Sequence, residues 1–312
     1  MRAVSFQGRH IISIADLSHG DLRHILQQAA ELEQQPQPQL LLGRVMASLF
    51  FEPSTRTRLS FESAMSRIGG KVIGFSEADS TSAKKGESLA DTIRMIDAYA
   101  DVIVMRHPKD GAARLASQVG KIPVINGGDG ANQHPTQTCL DLYTIHKLFQ
   151  HRLEDGEPLT VCFAGDLKYG RTVHSLLHAL AHFNVHLLCC APTGLEMPQH
   201  YVRLAAEAGV HLQTCATLQD AVRVSDVLYM TRLQEERFPD PVEFEHVKST
   251  YRLTGRMLKK AKPELRILHP LPRVNEIAID VDQTSHAHYF AQAANGIPIR
   301  QALLGLVLGA LP

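Results

Sequence analysis

From about residue 45 to residue 230, and once more near residue 266, short unbroken apolar runs alternate with longer stretches in which apolar residues recur every three or four positions. The runs are "VMASLFF", "KVIGFS", "VIVM", "IPVING", "TVCFAGD", "VHLLCCA", "HLQTCA", "VLYM" and "RILHP". They are too short for helices and are rich in Val, Ile, Leu and Phe, which predicts strands. Several are apolar on consecutive residues rather than on alternate ones, the pattern of a parallel sheet covered by helices on both faces. Strand and helix in alternation predict an α/β fold, here two doubly wound parallel-sheet domains joined by interdomain helices.

Local signals refine this outline. In "LSHGDLRHILQQAAELE", Ser18 followed three residues later by Asp21 predicts a capped early helix, and "QQPQPQ" ends it. A helical stretch, "GANQHPTQTCLDLYTIHKLFQH", gives way to the turn in "EDGEPLTVCFAGD", which predicts a domain boundary near residue 150. The expected domains are therefore 1–150 and 151–294. The apolar segment from about 295 to 312, "NGIPIRQALLGLVLGAL" at its heart, is expected to dock back on the first domain. Two polar stretches, 77–87 and 232–251, resist assignment to helix or strand and read either as functional lids or as disordered segments.

Composition narrows the class. A chain of 312 residues with 44% hydrophobic and 21% charged residues has enough material for a globular protein of about two domains. Lys plus Arg and Asp plus Glu are equal at 32 each, so no chain-wide nucleic-acid or membrane footprint is expected and any attraction for anions must be local. The first residues lack the apolar stretch of a signal peptide, and "ALLGLVLGAL" falls short of the roughly 18 residues of a membrane span. Cys139, Cys162, Cys189, Cys190 and Cys215 are odd in number, lack metal-ligand spacing and fall mostly in strand-like runs, which predicts inert thiols and a cytoplasmic protein.

The unusual polar clusters all follow predicted strands: "STRTR" after "FFEP", "RH" after "VIVM", "ANQHPTQ" after "IPVINGGDG", "LKYGR" after "TVCFAGD", "TRLQ" after "VLYM", and "LPR" after "RILHP". Open parallel sheets bind ligands at that carboxyl edge, so the clusters are expected to converge on a site. Pro53 and Ser54 begin a helix whose free N–H groups, with three hydroxyls and Arg56, make a phosphate cradle; the plainer reading is that Ser54 and Thr55 cap the helix and both arginines form surface ion pairs. His134, taken alone, is more often structural than catalytic. Arg171, at a helix start after a glycine-containing turn, divides evenly between ligand and solvent. His174, His178 and His182 recur every four residues but lack a complementary carboxylate, so no metal is expected, and no cofactor. With no activated nucleophile in view, arginines, lysines, hydroxyls, one histidine and two glutamines suit an anionic substrate whose reaction is accelerated by orientation and electrostatics.

The motifs "FFEPSTRTRLSFE", "KKGESLADT", "MRHP", "NQHPTQTCLDL", "GDLKYGRTVHS", "YMTRLQEERF" and "HPLPR", in this order, resemble the aspartate/ornithine carbamoyltransferase family, on its aspartate branch. That resemblance implies transfer of a carbamoyl group from carbamoyl phosphate to L-aspartate in pyrimidine synthesis. It also implies a catalytic homotrimer with shared sites and, in some relatives, regulatory chains. Carried to matching positions, it assigns Ser54, Thr55, Arg56, Thr57 and Arg106 to carbamoyl phosphate, with Thr57, Arg106 and His134 polarising its carbonyl. Gln137 and the backbone carbonyls of Pro270 and Leu271 would hold the carbamoyl amide. Arg171, Arg232 and Gln234 would clamp aspartate, while Ser82 and Lys85 would reach into a neighbouring subunit's site. Glu52 would pair with Arg171 or Arg237 in a closed state. The rival acceptor is ornithine. Its side chain is cationic, which the cationic set Arg171, Arg232 and Lys85 disfavours, and the ornithine branch carries cysteine where this chain has Pro270.

Overall fold

A computed structural model describes residues 5–76, 86–233 and 251–312. Ser82, Lys85 and Gln234, and most of both expected lids, lie outside the described residues.

Among the described residues nine strands form, one in each of the nine predicted runs: β1 Val45–Phe50, β2 Lys71–Phe75, β3 Val102–His107, β4 Val124–Asp129, β5 Leu159–Ala164, β6 Val185–Cys190, β7 Leu212–Thr214, β8 Val227–Met230 and β9 Arg266–Leu268. They make two all-parallel sheets, ordered β2-β1-β3-β4 and β7-β6-β5-β8-β9. Among the described residues α1 His19–Gln34 precedes β1, and α2 Thr55–Arg67, α3 Leu89–Ile96, α4 Ala112–Val119, α5 Pro135–Glu154, α6 Arg171–Leu180, α7 Gln199–Glu207 and α8 Leu218–Val224 each lie between one strand and the next. Short helices at Gly255–Leu258 and Tyr289–Ala294 precede a terminal one at Gly296–Val307.

The chain divides into two compact units, residues 1–140 with 295–312, and residues 141–294. The passage from one to the other falls within α5, and the return falls between the last two helices. In the first unit the terminal helix packs on α1 and α2. Burial accounts for its position: Ile299, Ala302, Leu303, Leu304 and Leu306 are fully enclosed, and each large side chain so removed from water contributes about 1.5–3 kcal/mol. Arg300 lies in the same buried stripe with its guanidinium 4.9 Å from the Phe61 ring centroid, a stacking that offsets part of the cost of burying its charge.

Why the sheets sit where they do follows from the strands themselves. Ile103, Val104 and Met105 of β3 are all fully buried, as are Val161, Cys162 and Phe163 of β5, so neither strand has a solvent face. The edge strand β2 is largely exposed, and it approaches β1 so closely that Gly74 has no room for a side chain: a Cβ there would stand 2.0 Å from the Ser48 carbonyl oxygen. At the start of α1, Ser18 Oγ accepts from Asp21 N and the Asp21 carboxylate accepts from Ser18 N, the reciprocal cap expected from the sequence and worth about 1 kcal/mol.

Candidate active site

At the carboxyl edge of the first sheet, β1 ends, the chain turns through Pro53, and α2 begins at Thr55. Ser54 occupies the cap position with extended backbone, yet its side chain makes no capping hydrogen bond. The plainer reading of the "STRTR" stretch therefore fails for Ser54: the first-turn N–H groups are left without the hydroxyl that would have satisfied them, as a helix end that receives an anion requires. It holds for Arg58, whose Nε lies 3.7 Å from Glu62 one turn on. Arg56 makes no such pair among the described residues. Partial burial, and then the positive charge of Arg106, push the Arg56 pKa down. Two guanidiniums close enough to perturb one another repel, and an anion bound at this edge would relieve that repulsion.

Arg106 comes from the end of β3, where the β3–β4 register shifts between Met105 and His107. An irregularity of this kind re-aims a side chain at a strand end. The Arg106 guanidinium donates to Glu52 Oε1 at 2.7 Å and reaches the Gly127 carbonyl at 3.5 Å, while its Nε is buried without a hydrogen-bond partner. The Glu52 carboxylate is on Arg106 at the end of β1, where Phe50 and Arg106 are register partners; Arg237, one of the two partners expected for Glu52 in a closed state, lies outside the described residues.

His134 arrives on the loop between β4 and α5. Its ring is buried, with Nε2 3.4 Å from Thr57 Oγ1 and Nδ1 3.5 Å from Thr136 Oγ1. Thr57, itself buried on the first turn of α2, thus links the cradle to the histidine. Gln137 follows one helical turn after His134, its N–H bonded to the His134 carbonyl. A buried carboxylate that sequence reasoning overlooked organises this loop. Asp129 accepts from Asn126 Nδ2 (2.8 Å) and Gln133 N (3.1 Å) on one oxygen, and from Gly111 N (2.8 Å) and Asn132 Nδ2 (3.1 Å) on the other. The available signal was an aspartate inside the glycine-rich "GGDG", a residue that folds loops by accepting backbone hydrogen bonds.

In the second unit the expected residues also stand at the carboxyl ends of strands, and those strands, β5, β8 and β9, are consecutive in the sheet. Arg171 opens α6 after the β5 turn, where buried Asp166 accepts from Lys168 N and Tyr169 N. Arg232 follows β8, whose last turn residue, Thr231, is packed against Gly165; a Cβ on that glycine would meet the Thr231 carbonyl oxygen at 2.4 Å. Pro270 and Leu271 follow β9, and Leu271 adopts a left-handed backbone at φ +57°. Arg171, Arg232, Pro270 and Leu271 are each half-buried.

The histidine stripe on α6 has a packing role. His174 is buried, its Nε2 2.8 Å from the Leu167 carbonyl oxygen and its ring stacked 4.0 Å from Tyr201, and burial lowers its pKa to about 4. Among the described residues no three His, Cys, Asp or Glu side chains are grouped to hold a metal. The four cysteines of the second sheet are thiols whose pKa values burial pushes up, to about 12 for Cys189 and about 11 for Cys190. No helix among the described residues is long and apolar enough to cross a membrane.

Comparison with known proteins decides the family. Residues 9–147 match the carbamoyl-phosphate-binding domain of the aspartate/ornithine carbamoyltransferases, and residues 157–307 match their aspartate/ornithine-binding domain. The chain belongs to this carbamoyltransferase family. The aspartate carbamoyltransferase catalytic subunit of Thermococcus gammatolerans is 54% identical over 99% of this chain and 100% of its own. Among solved structures, the catalytic subunit of M. jannaschii aspartate transcarbamoylase superposes with a TM-score of 0.90 at 46% identity, covering 96% of this chain and 98% of the other. Aspartate transcarbamoylase from Trypanosoma cruzi, in complex with carbamoyl phosphate and aspartate, gives 0.87 at 37% identity over 97% and 96%. The two domain matches part near the end of α5, within which the compact units also part, but the terminal helix Gly296–Val307 lies in the second match and in the first unit.

Proposed function

We propose that this protein transfers the carbamoyl group of carbamoyl phosphate to the amine of L-aspartate, giving N-carbamoyl-L-aspartate and phosphate, in the cytoplasmic synthesis of pyrimidines. The observation that carries the reading is the grouping of Arg56, Thr57, Arg106 and His134 at one sheet edge, beside a helix start whose cap hydroxyl is uncommitted. In that arrangement Ser54, Thr55, Arg56 and the first-turn N–H groups of α2 bind the phosphate. The aspartate nitrogen attacks the carbamoyl carbon and negative charge grows on the carbonyl oxygen, where Thr57, Arg106 and His134 supply donors. Each well-placed donor of this kind lowers the barrier by about 3 kcal/mol. Collapse breaks the carbon–oxygen bond to phosphate, which leaves toward the cations and takes up the proton that the attacking amine gives up. Gln137 and the Pro270 and Leu271 carbonyls accept from the carbamoyl NH2; Arg171, Arg232 and Gln234 hold the two carboxylates of aspartate; and Ser82 and Lys85 are contributed from a neighbouring copy.

The aspartate acceptor, rather than ornithine, is supported by the names of the similar proteins and by a cationic set suited to two carboxylates. Assay of a panel of amino acids with carbamoyl phosphate tests it: aspartate is expected to be carbamoylated, and preferential turnover of ornithine would overturn the assignment. The proposal extends to a catalytic homotrimer with shared active sites; association with regulatory chains is left open. Leu59 on α2, Ile73 on β2, Met95 on α3 and the nearby Tyr99 are large apolar side chains exposed on the first unit, and a subunit interface would cover such residues.

A further inference from the structure

The segment after β9 is folded around one buried histidine. His269 Nδ1 accepts from the Leu271 N–H at 2.8 Å, and its Nε2 stands 2.7 Å from Glu276 Oε1. A ring nitrogen that accepts carries no proton, so the proton is on Nε2 and is donated to Glu276. The other carboxylate oxygen accepts from Val274 N (3.1 Å) and Asn275 N (3.0 Å), and the His269 N–H donates to Gln292 Oε1 at 2.7 Å. Both side chains are at least 95% buried, at 1% and 5% exposure.

These contacts bear on carbonyl direction. The Leu271 N–H and the Pro270 carbonyl belong to one planar trans peptide and point in opposite directions, so the bond that holds the N–H toward His269 aims the carbonyl away from it. The Pro270 and Leu271 carbonyls flank the Leu271 Cα, so its φ of +57°, uncommon for leucine, contributes to the angle between them. Left to itself a leucine leaves that region; the histidine bond opposes this.

We propose that His269 and Glu276 are positioning residues: Glu276 fixes the His269 tautomer, His269 fixes the peptide plane, and together they make this segment discriminate a donor bearing NH2 from one bearing CH3. The inference rests on the reading that the Pro270 and Leu271 carbonyls accept from the carbamoyl NH2. It assigns to Glu276 and His269 no contact with substrate.

Acetyl phosphate, with a methyl group in place of the amide, separates this role from general damage. In the full-length protein, KM for carbamoyl phosphate and Ki for acetyl phosphate are measured for wild type, Glu276→Gln, His269→Gln and His269→Asn. Glutamine at 269 lacks an acceptor at the Nδ1 position, whereas asparagine offers its oxygen there. His269→Gln and Glu276→Gln are expected to raise KM for carbamoyl phosphate about tenfold, the scale of one lost buried hydrogen bond, while Ki for acetyl phosphate moves less than about twofold; His269→Asn recovers part of the loss. Unchanged KM, or equal losses for both ligands with unaltered circular dichroism, overturns the proposal. Glu276→Gln, which preserves shape, keeps the test decisive should a histidine replacement fail to fold. Failure of the wild-type protein to turn over carbamoyl phosphate would instead remove the functional reading beneath it.

Discussion

Glu52 Oε1 lies 2.7 Å from the Arg106 guanidinium, so the carboxylate occupies a cation of the proposed phosphate cradle. An anion that binds there competes with it. The two side chains retain 28% and 17% exposure, which places the pair with partly screened ion pairs worth about 1 kcal/mol, or roughly fivefold in a binding constant. Glu52→Gln is therefore expected to tighten inorganic phosphate about fivefold, read by titration calorimetry. Phosphate affinity that is unchanged or weaker in this variant would show that the pair does not compete with the ligand.

Asp129 presents a different dependence. Its carboxylate accepts four hydrogen bonds while 1% exposed, and Asp129→Asn turns an NH2 group toward donors. Loss of such bonds inside a protein costs about 2–4 kcal/mol, and the loop that loses its shape carries His134. The expected result is a lower urea midpoint together with a kcat reduced by more than tenfold. Full turnover in a destabilised Asp129→Asn protein would separate loop anchoring from the placement of His134.

What the sequence made legible follows from the range of the interactions involved. Apolar runs announced the nine strands of the described residues because burial on both faces is a local pattern, and the cap of α1 lies within four residues. Topology then placed "STRTR", Arg106 and His134 at one edge, since each stands at or just beyond the carboxyl end of a strand of the same parallel sheet. Pairings made through space had no comparable trace. Glu52 and Arg106 are 54 positions apart, and Gln292 bonds to His269 across 23, with no periodicity that marks either. Asp129 and Glu276 are single carboxylates whose importance lies in backbone donors brought to them by turns, and an isolated acidic residue in a string gives no hint of that.

The proposed sharing of sites between copies yields a test that needs no partner chain. Arg56→Ala removes a cradle cation and is expected to abolish turnover while leaving circular dichroism unchanged, because the side chain is exposed and forms no ion pair among the described residues. Lys85→Ala should do the same through the neighbouring copy. Mixed trimers of the two variants would then contain some sites with both residues intact, and activity should reappear on mixing after dissociation. Mixed assemblies verified by native mass spectrometry that remain inactive would refute shared sites.

Acid sensitivity follows from Asp226, whose side chain is 1% exposed and receives Lys262 Nζ at 2.8 Å, Arg152 at 2.7 Å and Thr160 N at 2.9 Å. Burial by itself would raise its pKa; the bonds from Lys262 and Arg152 outweigh that and hold it below the ordinary 3.8. A depressed folded-state pKa means that the unfolded chain takes up the proton first. The stabilisation is thus fully present above the unfolded value and is lost as pH falls through the lower folded one. Asp226→Asn should cost about 3 kcal/mol near neutral pH, since it leaves two cations beside a neutral buried group. The cost should shrink as pH falls below 3.8 and on through the lower folded-state value, where the wild-type carboxylate is itself protonated. Urea midpoints of both proteins across this range provide the check, and a gap that stays constant into acid would mean that the charge on Asp226 contributes nothing.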